Sequence, residues 1–449
     1  MRIDRAAYSL GLRGGGSAYR IPAQSRARTT ARGPDRQGVT TVPNIGIVGS
    51  GIAGLHLGLY LRKHDIPVTI YSDKTAAQLA EGRLLNTVAH HRTTLDRETE
   101  LGVDHWDLDE YGYFCNHHYI GGPSPMYFRG DFPTPSRALD YRVYLPRLAQ
   151  DFEERGGTLA VRPVTPNNIV ELSDQHDLMV ISTGRAGLGA MFGRRADKSP
   201  YDAPQRNLAV GLYHGVTYND PKGLSLSVSP GHGELLEIPM YSHEGHVTGL
   251  LFEAIPGASD LNELRDTRYD EDPAAFEKLV LAKLQAHFPG VFERVDPTRF
   301  GVTRPQDVLQ GGVTPVVRED YTRLPNGKYA IALGDAHMTV DPMIGQGANT
   351  ASFSAFTVGE AIVEDLGFDE RLCLRIANRR AGHLMSAADW ANFMVRREPA
   401  PHLLELFARM NEDDRVCRDV VDNFNFPERQ WDIMSTPERT RAYLASFAA

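Results

Sequence analysis

The stretch NIGIVGSGIAGLHLGLYLRKHDIPVTIYSD, residues 44–73, constrains the fold more than any other part of the sequence. It has the pattern of an apolar strand, a glycine-rich turn, a helix and a second apolar strand. Gly49, Gly51 and Gly54 have the spacing GxGxxG, which allows a tight turn, close approach of a pyrophosphate and packing of the helix on the strand. The helix directs the positive end of its dipole at the phosphates. The stretch predicts a dinucleotide-binding domain and leaves the dinucleotide's identity open.

The residues of this turn and of the second strand are the first predicted cofactor ligands. Ser72 ends that strand, where a ribose-binding Glu is common, and Asp73 follows it. We predict that Asp73 binds the adenosine ribose, and the alternative is an exposed turn residue. The turn residues predicted to bind the cofactor are Gly49, Gly51, Ile52, Ala53 and Gly54.

A second glycine-rich element, IALGDAHMTVDPMIGQGANTASFSAF, spans residues 331–356. An apolar strand ends at Gly334-Asp335, and a helix opens shortly afterwards. In flavoproteins of the hydroxylase type, the Asp holds the ribityl hydroxyls and the helix N-terminus faces the flavin ring, where its dipole stabilises negative charge. A fold that binds only nicotinamide does not need this element, so the two elements together predict FAD. The predicted ligands here are Gly334, Asp335, Pro342, Gly345, Gly347, Ala348 and Asn349.

A third apolar strand, in DLMVISTGRAG at residues 177–187, ends at Thr183-Gly184. We expect it to close the nucleotide domain, with Gly184 near the cofactor. No second GxGxxG unit follows, so the sequence predicts a flavin site without an evident site for a nicotinamide reductant.

Composition excludes several other classes of protein. The 449 residues are 41% hydrophobic and 23% charged, which is typical of a globular protein in water. No apolar run approaches the roughly 18–20 residues of a membrane-spanning helix. The net charge of −9 argues against nucleic acid as a partner. The three cysteines are far apart and predict neither a disulfide framework nor a metal site, which suits a cytoplasmic location.

The first 42 residues differ in kind, with eight Arg and only two acidic residues. They contain no continuous apolar region before a small-residue cleavage site, so they are a poor secretory signal. Their composition has some similarity to an organelle transit peptide. We favour a disordered tail or translated sequence upstream of a true start near Val39 or Val42.

Alternating patterns organise the rest of the chain. Residues 224–229 and 246–254 alternate like strands of an antiparallel sheet above the active site, and helical patterns dominate from about Val358 onward. We predict an α/β fold: a Rossmann-like FAD-binding domain of the aromatic-hydroxylase type, an inserted antiparallel β-sheet substrate domain and a C-terminal helical region. The predicted bounds are 43–80, 136–190 and 300–365 for the discontinuous FAD domain, 81–135 and 191–299 for the substrate domain, and 366–449 for the helices.

Several motifs resemble one family closely. They include RLLNTVAHH at 83–91, YGYF at 111–114, YIGGPSPM at 119–126, PSRALDYRVYLP at 135–146, SPGHGELLEIP at 229–239, LQGGVTPVVR at 309–318, GDAHMTVDPMIGQGAN at 334–349 and DNFNFPERQWD at 422–432. With residues 44–73, they make the chain similar to the oxygenase component of two-component styrene monooxygenases, a family that also includes indole monooxygenases. The resemblance covers about residues 44–447.

The resemblance implies a mechanism that fits the lack of a reductant site. A separate NADH-dependent flavin reductase supplies diffusible reduced FAD, and O₂ adds to the flavin to form a C4a-hydroperoxide. This species epoxidises the vinyl or pyrrole C=C of styrene- or indole-like aromatics, and no side chain has to act as a nucleophile. The resemblance also implies a homodimer.

Site residues follow from the resemblance position by position. Arg83, Asn86 and Thr87 are implied as catalytic, with Arg83 also holding flavin phosphate or peroxide charge; the alternatives are a surface Arg and a loop-capping Asn. The residues implied to bind substrate are Leu84, Leu85, Tyr113, Ser136, Met343 and Ile344, although Tyr113 fits the core equally well. Asn116 is a departure, since the family commonly has His there, and it puts a proton relay at this position in doubt.

Two adjacent histidine pairs, His90-His91 and His117-His118, suggest a metal site at first sight. Neighbouring residues of a strand point to opposite faces and cannot chelate one ion together, so we expect surface or packing roles.

Two other functions stay open. A flavin halogenase also takes reduced FAD from a partner, but its WxWxIP motif is missing, because Trp106, Trp390 and Trp431 stand apart. A non-catalytic FAD-fold protein of the Rab-escort type would have no need for the Gly334-Asp335 element.

Overall fold

A computed structural model describes residues 43–184 and 187–448 of the chain. The Arg-rich segment 1–42 lies outside the described residues, so its interpretation stays a prediction. The strands are β1 (Ile45–Val48), β2 (Val68–Ser72), β3 (Ala89–His90), β4 (Gly112–Ile120), β5 (Met126–Ala138), β6 (Thr158–Val161), β7 (Leu178–Ile181), β8 (Asn207–His214), β9 (Gly223–Ser229), β10 (Gly233–Ser242), β11 (Gly245–Ala254), β12 (Gly301–Val302), β13 (Val308–Gly312), β14 (Val316–Val317), β15 (Tyr321–Arg323), β16 (Tyr329–Ala332) and β17 (Met338–Thr339).

Helices fill the connections and most of the C-terminal third. The α-helices are α1 (Ile52–Lys63), α2 (Ala76–Ala80), α3 (Arg92–Leu101), α4 (Leu108–Tyr111), α5 (Tyr141–Glu154), α6 (Ile169–Ser173), α7 (Glu263–Asp266), α8 (Pro273–His287), α9 (Pro289–Phe292), α10 (Gly347–Glu364), α11 (Glu370–Met394), α12 (Pro401–Glu412), α13 (Asp414–Asp422), α14 (Pro427–Met434) and α15 (Pro437–Ala445). Single 3₁₀ turns include Gly334–Ala336, Pro342–Ile344 and Asp260–Asn262.

The first sheet has six strands in the order β15-β16-β7-β1-β2-β6. Strand β1 pairs in parallel with β2 on one side and β7 on the other, and β16 continues the parallel arrangement beyond β7. The four residues of β1 and the four of β7 are all buried, as expected for strands covered on both faces. The three segments that the sequence assigned to a nucleotide domain therefore meet in one sheet.

The second sheet has the order β12-β8-β11-β10-β9-β4-β5-β3, and β13 also pairs with β8. Its pairs are antiparallel except for β4 with β9, which run parallel. The alternation of Leu and Ser in β9 appears directly in its burial, because Ser225 and Ser227 are buried on one face while Leu224 and Leu226 are half-exposed on the other. Leu224 and Leu226 are half-exposed because they line an internal cavity.

Helices α1 and α10 pack on the six-stranded sheet as one layer. Leu55, Leu57, Leu59 and Leu61 of α1 are fully buried in a core that also contains Ala355, Val358 and Ile362 of α10. Helices α11 to α14 bury a second core around Trp390 and Val421, against residues of β5 and β17. The predicted C-terminal helical region is confirmed, and the fold is the predicted α/β arrangement.

Strands of the second sheet extend past two of the predicted domain bounds, which stay predictions. Strand β5 stays in the second sheet to Ala138, although the FAD segment was placed from residue 136. Strands β12 and β13, at 301–312, pair with β8 in the second sheet, although the last FAD segment was placed from residue 300. In both cases backbone pairing carries the chain further along the second sheet than side-chain patterns indicate.

No helix among the described residues combines the length and the apolar character that crossing a membrane requires.

The contact between the first turn of α1 and the end of β1 should tolerate no side chain. A Cβ at Gly54 would lie 2.0 Å from the carbonyl oxygen of Gly49. We expect Gly54→Ala to lower the free energy of unfolding by roughly 3 kcal/mol, because the clash is with backbone. Urea unfolding of the purified protein measures this change.

Gly382→Ala is the matched control, since Gly382 lies inside α11 and no described atom is within 4 Å of its would-be Cβ. There, alanine should stabilise the helix by about 1 kcal/mol. Equal stabilities of the two variants would contradict the packing described for Gly54.

Candidate active site

A cavity of about 750 Å³ lies between the two sheets. Its walls come from the carboxyl ends of the parallel strands, from the loop before α10 and from one face of the second sheet. The lining residues include Val48, Gly49, Ser50, Gly51, Ile52, Ala53, Asp73, Leu85, Asn86, Thr87, His91, Asn116, His118, Gly184, Leu224, Leu226, Leu236, Ile238, Leu251, Gly334, Asp335, Pro342, Met343, Ile344, Gly345, Gly347, Ala348 and Phe424. Ligand sites at the carboxyl edge of a parallel sheet are a general feature of such folds.

The glycine-rich turn forms one end of the cavity. Gly49 has a φ of +116°, and a Cβ there would lie 2.4 Å from the carbonyl oxygen of Ser182, so only glycine fits. No described atom lies within 4 Å of a would-be Cβ at Gly51, which leaves open space above the backbone. Helix α1 has no side-chain cap from Gly51 and no acidic residue in its first turn. Its first N–H groups and its dipole are therefore available to a phosphate.

Asp73 lines the cavity beside this turn and is exposed. Ser72 turns away instead, because its hydroxyl bonds that of Ser50 at 2.8 Å and donates to the carbonyl of Lys74. Lys74 and Arg162 also line this end and bring positive charge near it, which the sequence pattern did not reveal. The arrangement suits an adenosine diphosphate group, with Asp73 as the predicted ribose ligand.

The second glycine-rich element lies next to the first. A Cβ at Gly334 would be 3.1 Å from the Cβ of Ala53, so the two motifs touch. Asp335 lines the cavity there. The loop that follows ends in Gly345, with φ of +61°, and delivers the N-terminus of α10, where Gln346 provides no side-chain cap. A second uncapped helix end therefore faces the same cavity.

These features fit FAD. The cavity is lined by the phosphate cradle of the first glycine-rich turn, by Asp335 and by the uncapped N-terminus of α10. The would-be Cβ positions are open at Gly51, Gly345 and Gly347, blocked by backbone at Gly49, and in contact with the Ala53 side chain at Gly334.

The far wall of the cavity is one face of the second sheet. Strand pairing places Asn116 beside Leu224 and His118 beside Leu226. Leu236 then lies beside Leu226, and Leu251 beside Leu236. Because side chains alternate along each strand, these residues share a face. The wall is a leucine-rich surface with two polar side chains at its edge.

A β-bulge decides which side chains of β4 face the cavity. The register of β4 with β5 shifts between Tyr113 and Cys115. Beyond the bulge, Cys115 and His117 point to Pro221, whose carbonyl oxygen lies 2.9 Å from His117 Nε2, while Asn116 and His118 line the cavity. The paired histidines at 117 and 118 thus point to opposite faces.

Asn116 and His118 present polar atoms without partners. Asn116 Oδ1 and His118 Nε2 are buried and make no hydrogen bond to any described residue. The His118 ring stacks on Phe128, with centroids 4.9 Å apart. Burial, and then the neighbouring His117, lower the pKa of His118 to about 4, so it is neutral at physiological pH. The cavity therefore offers a neutral imidazole nitrogen and an amide oxygen inside an apolar wall.

His91 supplies a second neutral imidazole. Burial, and then His90, lower the pKa of His91 to about 3. Its Nδ1 lies 3.0 Å from the hydroxyl of Ser136, and its ring packs against Phe424, another cavity residue. Sequence reasoning placed His91 and His118 in packing roles, but both also line the cavity.

The segment 83–91 is only partly in the position that the resemblance implied. Leu85, Asn86 and Thr87 line the cavity, as do Met343 and Ile344 from the loop before α10. Asn86 Oδ1 accepts a hydrogen bond from the Val88 amide at 3.3 Å, so it also stabilises the local turn.

Four predicted side chains do not reach the cavity. Arg83 is exposed, and with Arg268, the main cause, it lowers the pKa of Asp270 on the substrate domain. The Leu84 amide donates to the Gln306 carbonyl, which fixes Leu84 in the core and turns Arg83 outward. Tyr113 is fully buried against Phe132, and Ser136 lies behind His91. Arg83, Leu84, Tyr113 and Ser136 are therefore not among the described residues that line the cavity, and their roles towards substrate or flavin stay predictions.

Gly54 and Asn349 are also not among the described residues that line the cavity. Gly54 is closed off by Gly49. The Asn349 amide oxygen accepts from the His91 amide and the Thr94 hydroxyl, and its nitrogen donates to the carbonyls of Ala89 and Gly345. With its side-chain amide committed to these four bonds, Asn349 positions α10, and its predicted role as a cofactor ligand stays a prediction.

Comparison with known proteins decides the family. The chain is 45% identical over 407 residues to the styrene monooxygenase StyA of a Pseudomonas species, covering 90% of this chain and 98% of that protein, and 44% identical over the same length to StyA of Pseudomonas fluorescens. The chain belongs to the styrene monooxygenase oxygenase family. A family model for the styrene monooxygenase A substrate-binding domain matches residues 184–294.

A solved structure agrees on the fold. The flavin-dependent brominase Bmp2 superposes with a TM-score of 0.65 at 15% identity, covering 91% of this chain and 99% of that one. At this identity the likeness shows the fold alone. Family, fold and cavity together make this styrene monooxygenase family member an FAD-dependent monooxygenase, with FAD as its cofactor.

The buried neutral histidine of the cavity should make stability depend on pH. The unfolded chain binds a proton near pH 6.5 that native His118 does not accept above about pH 4. The free energy of unfolding should therefore fall as pH falls from about 6.5 towards 4. His118 should make the free energy of unfolding about 2 kcal/mol higher at pH 7 than at pH 5. Urea unfolding of His118→Gln should show a difference between these two pH values that is smaller by this amount.

His64→Gln is the control for removing a histidine, because His64 is exposed at the C-terminal end of α1 and does not line the cavity. A His118→Gln protein with the same pH dependence as the parent would show that His118 titrates normally in the native state.

Proposed function

We propose that this monooxygenase is the oxygenase of a two-component system: it takes diffusible reduced FAD from a separate NADH-dependent flavin reductase and epoxidises a styrene- or indole-like aromatic. The observation that carries the proposal is the single cavity in which an FAD cradle continues into a leucine-rich wall. A small apolar aromatic fits such a wall, and 45% identity to styrene monooxygenases supports the same substrate class.

When bound, reduced FAD supplies the activation of O₂ and the transfer of one oxygen atom to the substrate C=C. The protein's task is to bind, orient and exclude water. Gly51 and the uncapped end of α1 hold phosphate, and the second uncapped helix end, at α10, stabilises negative charge on the ring. The apolar wall keeps water away from the reacting atoms.

Neutral polar groups suit this chemistry better than charged ones. His91 and His118 stay neutral at physiological pH, so each imidazole has one donor and one acceptor nitrogen without a charge to solvate. Asn116 and His118 are placed to hold a polar group of the substrate or an ordered water at the edge of the wall. Asn86 and Thr87, which line the same cavity, are proposed to contact the reacting region.

The reductase partner is proposed for two reasons. GxGxxG occurs once in the chain, so a separate nicotinamide site is not indicated. The family resemblance also implies a separate reductase. A cytoplasmic location, where NADH is available, and a homodimer are part of the same proposal.

The competing functions have less support. The likeness to a brominase is at the level of fold, and Trp106, Trp390 and Trp431 still do not form the halogenase motif. A non-catalytic escort-like protein would not need two uncapped helix ends facing one cavity.

The deciding experiment measures product from styrene with the protein, FAD and NADH, with and without an added flavin reductase. We expect styrene oxide only when reductase is present, because this chain has no evident reductant site. Indole is run in parallel, with blue pigment as the sign of oxidation, and bromide is added to one tube.

Turnover with NADH alone would contradict the two-component proposal. Brominated product without epoxide would favour the halogenase. Binding of reduced FAD without any product would move the proposal to a different substrate class.

Asn116 should help to set the preference between the two substrates. Asn116→Leu keeps the shape but removes Oδ1, the unpaired acceptor that an indole N–H can use. We expect kcat/KM for indole to fall about tenfold relative to styrene, the value of one hydrogen bond of about 1.4 kcal/mol. Steady-state kinetics on both substrates measures the ratio.

Phe114→Leu is the control, since Phe114 lies on the same strand but is 41% exposed and away from the cavity. An unchanged ratio in Asn116→Leu would show that Oδ1 does not meet the substrate.

A further inference from the structure

A second cluster of potential ligands lies in the substrate domain, outside the cavity. His232, Asp260 and His287 each offer one ligand atom, and these atoms lie within 4.8 Å of one another. His232 is in the turn between β9 and β10, Asp260 begins a 3₁₀ turn after β11, and His287 is the last residue of α8. Three segments far apart in sequence thus bring two imidazoles and a carboxylate together.

The distances between ligand atoms suit a small tetrahedral cation. His287 Nε2 lies 2.8 Å and His232 Nδ1 3.6 Å from Asp260 Oδ1. Bonds of about 2.1 Å at tetrahedral angles place ligand atoms roughly 3.4 Å apart, so small side-chain shifts are enough. Asp260 and His232 are each 44% exposed, which leaves a fourth position open to water.

The residues around the cluster hold the ligands in suitable orientations. The Ser229 hydroxyl lies 3.1 Å from His287 Nδ1, so it can accept that N–H and leave the Nε2 lone pair to a metal. Lys283 donates to Asp260 Oδ2 at 2.8 Å, and Glu263, 3.0 Å from the same ammonium, balances its charge. Asp260 Oδ1 accepts a hydrogen bond from His287 Nε2 at 2.8 Å, and a bound ion would replace this hydrogen bond with two metal–ligand bonds. The backbone of His232 is fixed by hydrogen bonds with Ser229 and Ile255.

We propose that His232, Asp260 and His287 form a binding site for a zinc-class divalent cation on the substrate domain. Two imidazoles with one carboxylate favour Zn²⁺ over Mg²⁺ or Ca²⁺, which prefer oxygen ligands. The ion ties the turn between β9 and β10 to α8. Since β9 and β10 carry Leu224, Leu226 and Leu236 of the cavity wall, it stiffens the substrate side of the active site. This inference is independent of the proposed function.

The test uses the full chain without a histidine tag, stripped with a chelator. Isothermal titration with Zn²⁺ should show one equivalent bound, with a rise in Tm, and Mg²⁺ should give neither. His232→Ala and His287→Ala should each weaken Zn²⁺ binding at least tenfold and remove the rise in Tm. His232 is half-exposed, so its variant is expected to fold, which circular dichroism without metal verifies.

His243→Ala is the matched control, because His243 is an exposed histidine in the turn between β10 and β11, at the other end of β10 from His232. It should bind Zn²⁺ like the parent. Absence of saturable binding at one equivalent would overturn the proposal. So would one equivalent that persists in both His232→Ala and His287→Ala, since the ion would then lie elsewhere.

Discussion

The close approach of Gly54 to the carbonyl of Gly49 is the constraint on which the rest of the site depends. It lets α1 begin directly after the end of β1, with Gly51 as a cap residue that has no side chain to bond the first N–H groups. Its free N–H groups point into the cavity. The same helix packs on α10, so the position of one helix end sets that of the other. The packing of α1 therefore positions both the phosphate cradle and the N-terminus of α10.

Asn349 connects α10 to the part of the cavity that the second sheet forms. Its amide joins the first turn of α10 to both ends of the segment from Ala89 to Thr94. That segment includes His91, which lines the cavity and reaches the second sheet through Ser136. The two halves of the active site are therefore connected by hydrogen bonds of buried neutral groups, whose strength does not vary with pH or salt as that of exposed ion pairs does.

Sequence predicted the parts of the site that depend on local spacing. GxGxxG, Gly334-Asp335 and the Leu–Ser alternation of β9 each specify a conformation within a few residues, and all three lie where expected. The predicted residues that lie outside the cavity are positioned by long-range contacts. Arg83 faces outward because the Leu84 amide bonds Gln306, more than 200 positions away. The bulge near Cys115, which decides that Asn116 and His118 face the cavity, has no signature that alternation alone reveals.

Asn116 and His118 each place an unpaired polar atom in the cavity wall, which lowers the stability of the free protein. An unpaired buried polar atom costs about 1–3 kcal/mol, and apolar side chains of similar shape would fill the same wall without that penalty. Both atoms nevertheless lie side by side at the edge of a leucine-rich surface that needs neither for folding. Their energetic cost in the free protein becomes a gain when a ligand supplies the missing hydrogen bonds. If the proposed substrates are correct, the polar edge, more than the apolar wall, is therefore where this chain would distinguish one small aromatic from another.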